Sequence, residues 1–493
     1  MWDKRKLLEQ MKFLGPGTAE FDAREPKGFL RNFLVIGDYR YALDPDTLLI
    51  LGGRGVGKSA LFQVLNLPEG AGALVDATNS LVSLNWQHTY WIRGFGKVQQ
   101  DSSFPTPETV SDYMTSQDAI AWRAFWIGLV LGRILQDCPP EVQRFVRERL
   151  PNECIALMEH GLSKLSRWFP LIRQNLETTN DVLDQLDKAL LTTDSWLFVT
   201  YDELDRLVPS YRELSIPIRE LLALWLDRWR RWHRIRPKIF LRSDLFGVDR
   251  LQFPDASKFS GHQVRLDWSP NWLYRLLVKR LANSGTPMTD YVQRVEGLIE
   301  EEDPTFGYVP TADESRHKRF IDRMIGEFMG ANARKGITFR WIPNHLMDAG
   351  GKITPRSFIK LFAFAADLEL ERFDPTTLPD ERLLRPTNIQ GALMQTSLER
   401  INELVEEYPW ISELKPAFQG IEVPVAEERF ITALESVKWK GDSPPPSTVP
   451  GEVMETLIQL GILERRFDGR INAPEIYMHG FGMKRRGGVK RPR

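Results

Sequence analysis

Two short stretches of this chain carry residue types that can do phosphate chemistry. In the first, Gly52, Gly53, Arg54, Gly55, Val56, Gly57, Lys58, Ser59 and Ala60 run as GGRGVGKSA, and Gly52, Gly57, Lys58 and Ser59 occupy every required position of a phosphate loop. Glycines let successive backbone N–H groups curl around β and γ phosphates without β-carbon clashes, and a helix starting near Lys58 would add its positive end. Lys58 can reach the outer phosphates as a point charge, and the Ser59 hydroxyl can ligate Mg2+. The tenant this predicts is ATP with magnesium. The bland alternative, a glycine-rich turn with a surface lysine, leaves the flanking pattern unexplained.

A phosphate loop needs an acid at the end of another buried strand. The candidate is SWLFVTYDELDRL, Ser195 to Leu207, in which an apolar run ends at Asp202 and Glu203. Asp202 is expected to hold the metal and its water shell, and Glu203 to act as the base that polarises the attacking water. Asp205 and Arg206 could bond within the turn or reach a neighbouring subunit. An inert strand followed by an acidic helix cap has the same local appearance.

The elements that must position these groups follow from periodicity. Leu48 to Leu51 is an apolar run of strand length, while Ala60, Leu61, Val64 and Leu65 recur at helical spacing. Together they predict strand, tight turn and helix. A third strand, KIFLRSDLF over Lys238 to Phe246, follows an amphipathic helix expected from about Ile218 to Arg234, which reads as the crossover to a parallel neighbour. Where that strand runs out, Arg242 either contacts phosphate in cis or simply pairs with Asp244.

Composition bounds the rest. The chain has 493 residues, 42% of them hydrophobic and 27% charged, which is long enough for several domains with their own cores. A net charge of -1 conceals any local basic patch. Cys138 and Cys154 are too few for a disulfide framework or a metal cluster and read as small buried apolar residues. No run of eighteen apolar residues and no signal-peptide core is present, so the expected location is cytoplasmic, with no membrane partner.

GGRGVGKS, LFVTYDELD and IFLRSDLF, followed by VRLDWSPNWLYRLLVKRL and GKITPRSFIKLFAFA, resemble a bacterial P-loop ATPase family of the AAA+ and STAND type. FLGPGTAEFD and YALDPDTLLILG resemble the short preamble of those proteins. The resemblance implies an α/β fold: a P-loop NTPase core with a helical insertion, a helical lid and a C-terminal winged-helix-like module. It also implies a homo-oligomer and a lid arginine touching the outer phosphates, a role that falls on Arg356. A finger donated in trans would fall on Arg250 or Arg206.

These expectations divide the chain into a preamble (1–30), the first part of the core (31–99), a helical insertion (100–188), the second part of the core (189–267), a helical lid and bridge (268–404), a winged-helix-like domain (405–483) and a basic tail (484–493). Six of the last ten residues are Lys or Arg, which can gather phosphate oxygens with little sequence discrimination. Arg228, Arg230, Arg231 and Arg234 interleave with Trp225, Trp229 and Trp232, a pattern that favours a buried aromatic face over base stacking. The functional expectation is Mg2+-dependent ATP hydrolysis used as a switch in bacterial defence or mobile-element control, with a partner effector protein. The alternatives are an initiator-like ATPase that binds double-stranded DNA and a nucleotide-dependent scaffold that hydrolyses little. A kinase would need a phosphoacceptor pocket and a nuclease a second acidic constellation, neither of which is legible.

Overall fold

In the computed structural model, residues 2–14, 25–78, 84, 86–96, 103–209, 211–246, 256–440 and 444–487 are described. Its chain divides into two units, Thr18–Asp267 and the pair Met1–Gly17 with Trp268–Arg493. Both are mixtures of helix and sheet.

The unit Thr18–Asp267 is built on five strands: β1 (Leu49–Gly52), β2 (Thr89–Phe95), β3 (Trp196–Tyr201), β4 (Ile235–Arg242) and β5 (Gln263–Arg265). They pair in the order β2-β3-β4-β1-β5, and every pair is parallel. β1 and β4 are buried along their whole length, which is why they read as continuous apolar runs without alternation. The register sets Gly52 opposite Arg242 and Tyr201 opposite Ile239, so the glycine loop, the acidic turn and the arginine all leave the sheet at its carboxyl edge. Crevices at that edge are where open α/β sheets bind ligands.

Helix α1 (Lys58–Leu65) follows β1 directly, as the sequence predicts. Between β2 and β3 lie helices that include α2 (Ala119–Asp137) and α3 (Leu176–Thr192). Asp118 caps α2 by accepting the Ala121 N–H at 2.7 Å. This helix is long and apolar enough to cross a membrane, but 78% of it is buried, and Trp126 and Leu129 share one hydrophobic core with Leu51, Val199 and Tyr201 of the sheet. The inserted helices therefore enlarge the core. Cys138 and Cys154 are free and buried, and burial raises both thiols above their ordinary range.

Helix α4 (Ser215–Arg231) ends three residues earlier than periodicity suggests, and β4 begins correspondingly early, at Ile235. The cause is Asp187 of α3. Its carboxylate accepts the backbone N–H of His233, Arg234 and Ile235 at 2.7–3.0 Å, which stops the helix and starts the strand. Trp225 and Trp232 are buried. Arg228 donates to Asn180, Arg231 pairs with Asp184, and Arg234 lies 2.9 Å from Asp194. Three of the four arginines of this stretch are thus matched by α3 and the turn after it, while Arg230 is exposed.

In the other unit, helix Lys4–Lys12 packs with α5 (Pro355–Arg372), which pairs in turn with α6 (Pro386–Glu407). The stretch over 300–314, which reads as loop, contains a hairpin of β6 (Ile299–Asp303) and β7 (Gly307–Pro310). Asp303 folds its turn by accepting the N–H of Thr305 and Phe306, and the buried Lys279 donates to the carbonyls of Phe306 and Tyr308. After α6 come β8 (Glu422–Val423), α7 (Glu427–Glu435), α8 (Pro450–Gln459), β9 (Glu464–Arg465), β10 (Ile471–Asn472) and β11 (Lys484–Arg485). β9 and β10 form an antiparallel hairpin with two residues in each strand. A bridge from Val425 to Ile471 joins β10 to the segment after β8, and β11 pairs parallel with β8. The first two residues of the basic tail are therefore part of the fold, and one of their side chains is engaged. Lys484 and Arg485 form β11, and Arg485 donates to Asn472 at 2.8 Å. Residues 488–493 lie outside the described residues.

Candidate functional site

The loop between β1 and α1 has the backbone its glycines predict. Gly55 and Gly57 sit at φ 78° and 95°, in the left-handed region that a β-carbon disfavours, and Gly57 stands at the helix N-cap. At Gly52 the constraint is space, since a β-carbon there would come within 2.5 Å of the Val56 side chain. The Gly52 carbonyl accepts from Ser243 N–H at 3.2 Å, tying the start of the loop to the end of β4.

Lys58 folds back over this loop. Its ammonium donates to the Gly52 and Gly53 carbonyls at 3.0 and 2.9 Å. Burial pulls it down to about 8, partly opposed by the Asp202 carboxylate. Asp202 is 4% exposed, and burial pushes its carboxyl up to about 6 against hydrogen bonds from the Ser59 hydroxyl and the Glu203 N–H and the charge of Lys58. A buried carboxylate bonded to a serine hydroxyl is an oxygen donor set suited to a hard dication, and a dication there would favour the ionised form that burial penalises. Ser59 and Asp202 fit magnesium.

Glu203 stands at φ 54°, a left-handed conformation unusual for a residue with a side chain. Its carboxylate accepts from Arg206 Nη1 at 3.0 Å. Of the two roles open to Arg206, bonding within the turn is the one observed. Arg242 is 7% exposed and holds Asp244 through two nitrogens, Nε to Oδ1 at 3.1 Å and Nη2 to Oδ2 at 2.8 Å, while Nη1 lies 3.4 Å from Asp205. The pairing with Asp244 is therefore present, and the same guanidinium also reaches the acidic turn.

Arg356 begins α5 in the other unit, with its Nη1 3.5 Å from Glu403 Oε1. Lys360 and Arg400 converge on the same carboxylate, at 3.8 and 3.2 Å. Arg250 lies outside the described residues.

Sequence reasoning missed a polar tether beside the site. Asn66, which caps the end of α1, donates its amide to Thr200 Oγ1 at 3.0 Å, and the Thr200 hydroxyl donates to Ile92 O at 3.1 Å. The signal was a threonine inside an apolar strand two residues before Asp202. Lys238 was missed as well. It is fully buried in β4 and donates to the carbonyls of Asp44 and Thr47, just ahead of β1.

No protein-family model matches this chain, and no curated protein matches it. Among solved structures, it is similar to the Aeropyrum pernix ORC2 protein in ADPNP-ADP complexes, at 15% identity and a TM-score of 0.36, over 88% of this chain and 86% of that one. It is also similar to Cdc6p from Pyrobaculum aerophilum, at 12% identity and a TM-score of 0.28, over 89% and 83%.

Proposed function

We propose that this protein is a magnesium-dependent ATPase of the AAA+/STAND type whose cycle works as a conformational switch. The observation that carries this reading is the Lys58 ammonium held 3.0 and 2.9 Å from the Gly52 and Gly53 carbonyls, with the buried Asp202 carboxylate near enough for the two charges to act on each other. ATP bound there would draw Lys58 off the Gly52 and Gly53 carbonyls and onto its outer phosphates, while the loop N–H groups cradle the rest. Magnesium held by Ser59 and Asp202 would neutralise charge on the β and γ oxygens. Glu203 would orient water against the γ phosphorus and take its proton as the bond to the bridging oxygen breaks.

The cellular purpose proposed, control of defence or of mobile elements through an effector protein, rests on the resemblance. One feature of the C-terminal segment supports a protein partner. In the winged-helix reading of this segment α8 would be the helix laid in the major groove, yet it carries Glu452 and Glu455 and no Lys or Arg. The reading as a DNA-binding, initiator-like ATPase has its own support in the β9–β10 hairpin, where Phe467, which is 97% exposed, follows Arg466 in the chain.

The test is steady-state phosphate release by the whole protein, with and without double-stranded DNA, for wild type, Lys58→Ala and Glu203→Gln. Loss of a wild-type signal in both variants supports the ATPase. Stimulation by DNA moves the purpose to the initiator-like reading. ATP binding without turnover, even with a partner present, leaves a nucleotide-dependent scaffold.

A further inference from the structure

We propose that the β9–β10 hairpin is a docking surface for a second copy of this chain, each copy seating its Phe467 ring in a groove beside the other's hairpin. The contact goes beyond the ATPase reading and does not depend on it. The turn is fixed by its backbone. Gly469 N–H donates to Arg466 O and Arg466 N–H to Arg470 O, both at 2.9 Å, and Gly469 takes the left-handed φ of 77° that closes the loop. Phe467 is left 97% exposed, more than any other large apolar side chain among the described residues. A whole aromatic ring in water is area that an intermolecular contact can bury.

Asp468, the residue after Phe467, lines a groove between α7 and the hairpin turn. Its volume is about 510 Å³; Ala426, Glu428, Ile431 and Thr432 line its helix side and the Asp468–Arg470 pair its hairpin side. Sites that take small ligands run from about 300 to 1,000 Å³. Ring and groove share one patch of one copy, which a two-fold contact requires because the same surface must meet itself. Charge favours this occupant over a polyanion. Arg465 is held by Glu427 at 3.2 Å and by Glu455 at 2.5 Å, and Arg470 by Asp468 at 2.6 Å. These two arginines are neutralised where they stand, and Glu428 adds a further negative charge to the groove. In the paired copies Arg466, the residue before Phe467, brings its cation toward that acid.

The experiment is sedimentation velocity on the full-length, nucleotide-free protein over a concentration series. Wild type is expected to dimerise, and Phe467→Asp and Ile431→Asp are each expected to weaken dimerisation about thirty-fold, the loss typical of a buried interface anchor. A second measurement identifies the contact directly. Phe467→Cys protein and 15N-labelled Ile431→Cys protein are mixed and oxidised, and mass spectrometry should find a disulfide joining position 467 of an unlabelled chain to position 431 of a labelled one. The native Cys138 and Cys154 are buried and do not compete. Wild type that stays monomeric overturns the proposal, as does self-association indifferent to both aspartate substitutions or a mixture that yields no such bond. Loss of duplex DNA retention in Phe467→Asp with dimerisation intact gives the ring to nucleic acid and overturns it too.

Discussion

The side-chain amide of Asn66, at the end of the phosphate-loop helix, lies 3.0 Å from the hydroxyl of Thr200 in β3, two residues before the acid that follows that strand. This contact joins the two halves of the site behind the chemistry. Ser59 rides on the first turn of α1 and Asp202 on the end of β3, so a tether between these elements sets how closely hydroxyl and carboxylate approach.

Thr200→Val keeps the shape of a fully buried side chain but strips partners from the Asn66 amide and the Ile92 carbonyl. Leaving buried groups unsatisfied costs about 1–3 kcal/mol. The urea midpoint should fall accordingly. Because the loop and the acid lose their spacing, kcat should fall about ten-fold, a misplacement cost well within the range for positioned groups. Asn66→Ala should reproduce both effects, and the double variant should cost less than the sum of the singles. Additive losses would mean that the two residues act independently.

How much of this was legible in sequence depended on whether the signal was local. Gly52 to Ser59 announced their turn because positive φ at Gly55 and Gly57 is a property of the glycines themselves. Asp202 is legible as a candidate because a buried strand runs out into an acid. The partners of Arg242 could be read only as alternatives, because Asp205 and Asp244 meet it through tertiary folding. The end of α4 was misplaced because it is set by Asp187, a residue of a different helix. The β6–β7 hairpin escaped because Glu300, Glu301 and Glu302 give no apolar alternation.

Arg242 poses a choice that binding can settle. Its fork is engaged with Asp244, so a role on nucleotide would compete with that pair. Asp244→Asn weakens the competitor and should tighten ATP about three-fold, while Arg242→Ala should weaken it about ten-fold, as expected for loss of one charge-assisted contact. The measurement is equilibrium binding of a fluorescent ATP analogue. Unchanged affinity in both variants would make Arg242 a strand-end residue that braces the acidic turn.

Lys238 predicts a pH dependence of stability. Burial pulls its ammonium down to about 7, with the nearby Asp44 opposing in part, whereas in the unfolded chain it titrates at its ordinary 10.5. Between these values the unfolded state holds more protons than the folded one, so stability rises with pH. The penalty is complete below pH 7 and is relieved as pH approaches 10.5. The slope from this group is at most about 1.4 kcal/mol per pH unit. Lys58, lowered to about 8, adds to the same trend, so the comparison must be differential. Urea midpoints from pH 7 to 9 should climb more steeply in wild type than in Lys238→Met; parallel curves would show that the carbonyls of Asp44 and Thr47 keep Lys238 charged.

The C-terminal segment offers nucleic acid two kinds of surface, and salt dependence separates them. Lys490, Arg491 and Arg493 carry three charges in the last six residues, whereas α8 presents Glu452 and Glu455. Arg465 of the β9–β10 hairpin is already held by Glu427 and Glu455. Affinity for duplex DNA should therefore come from the tail. Each phosphate neutralised adds about 0.9 to the slope of log affinity against log salt, so deleting 488–493 should flatten it by up to about 2.7. Fluorescence anisotropy with a labelled duplex between 50 and 200 mM salt, about the range over which such contacts are lost, measures the change. Glu452→Lys with Glu455→Lys should strengthen DNA retention without sequence preference, because it replaces repulsion of the backbone by attraction. If instead retention is strong in wild type, survives loss of the tail and collapses when Arg466 and Phe467 are changed to Ala, the hairpin is the DNA-reading element and the acidic face of α8 has no part in partner choice.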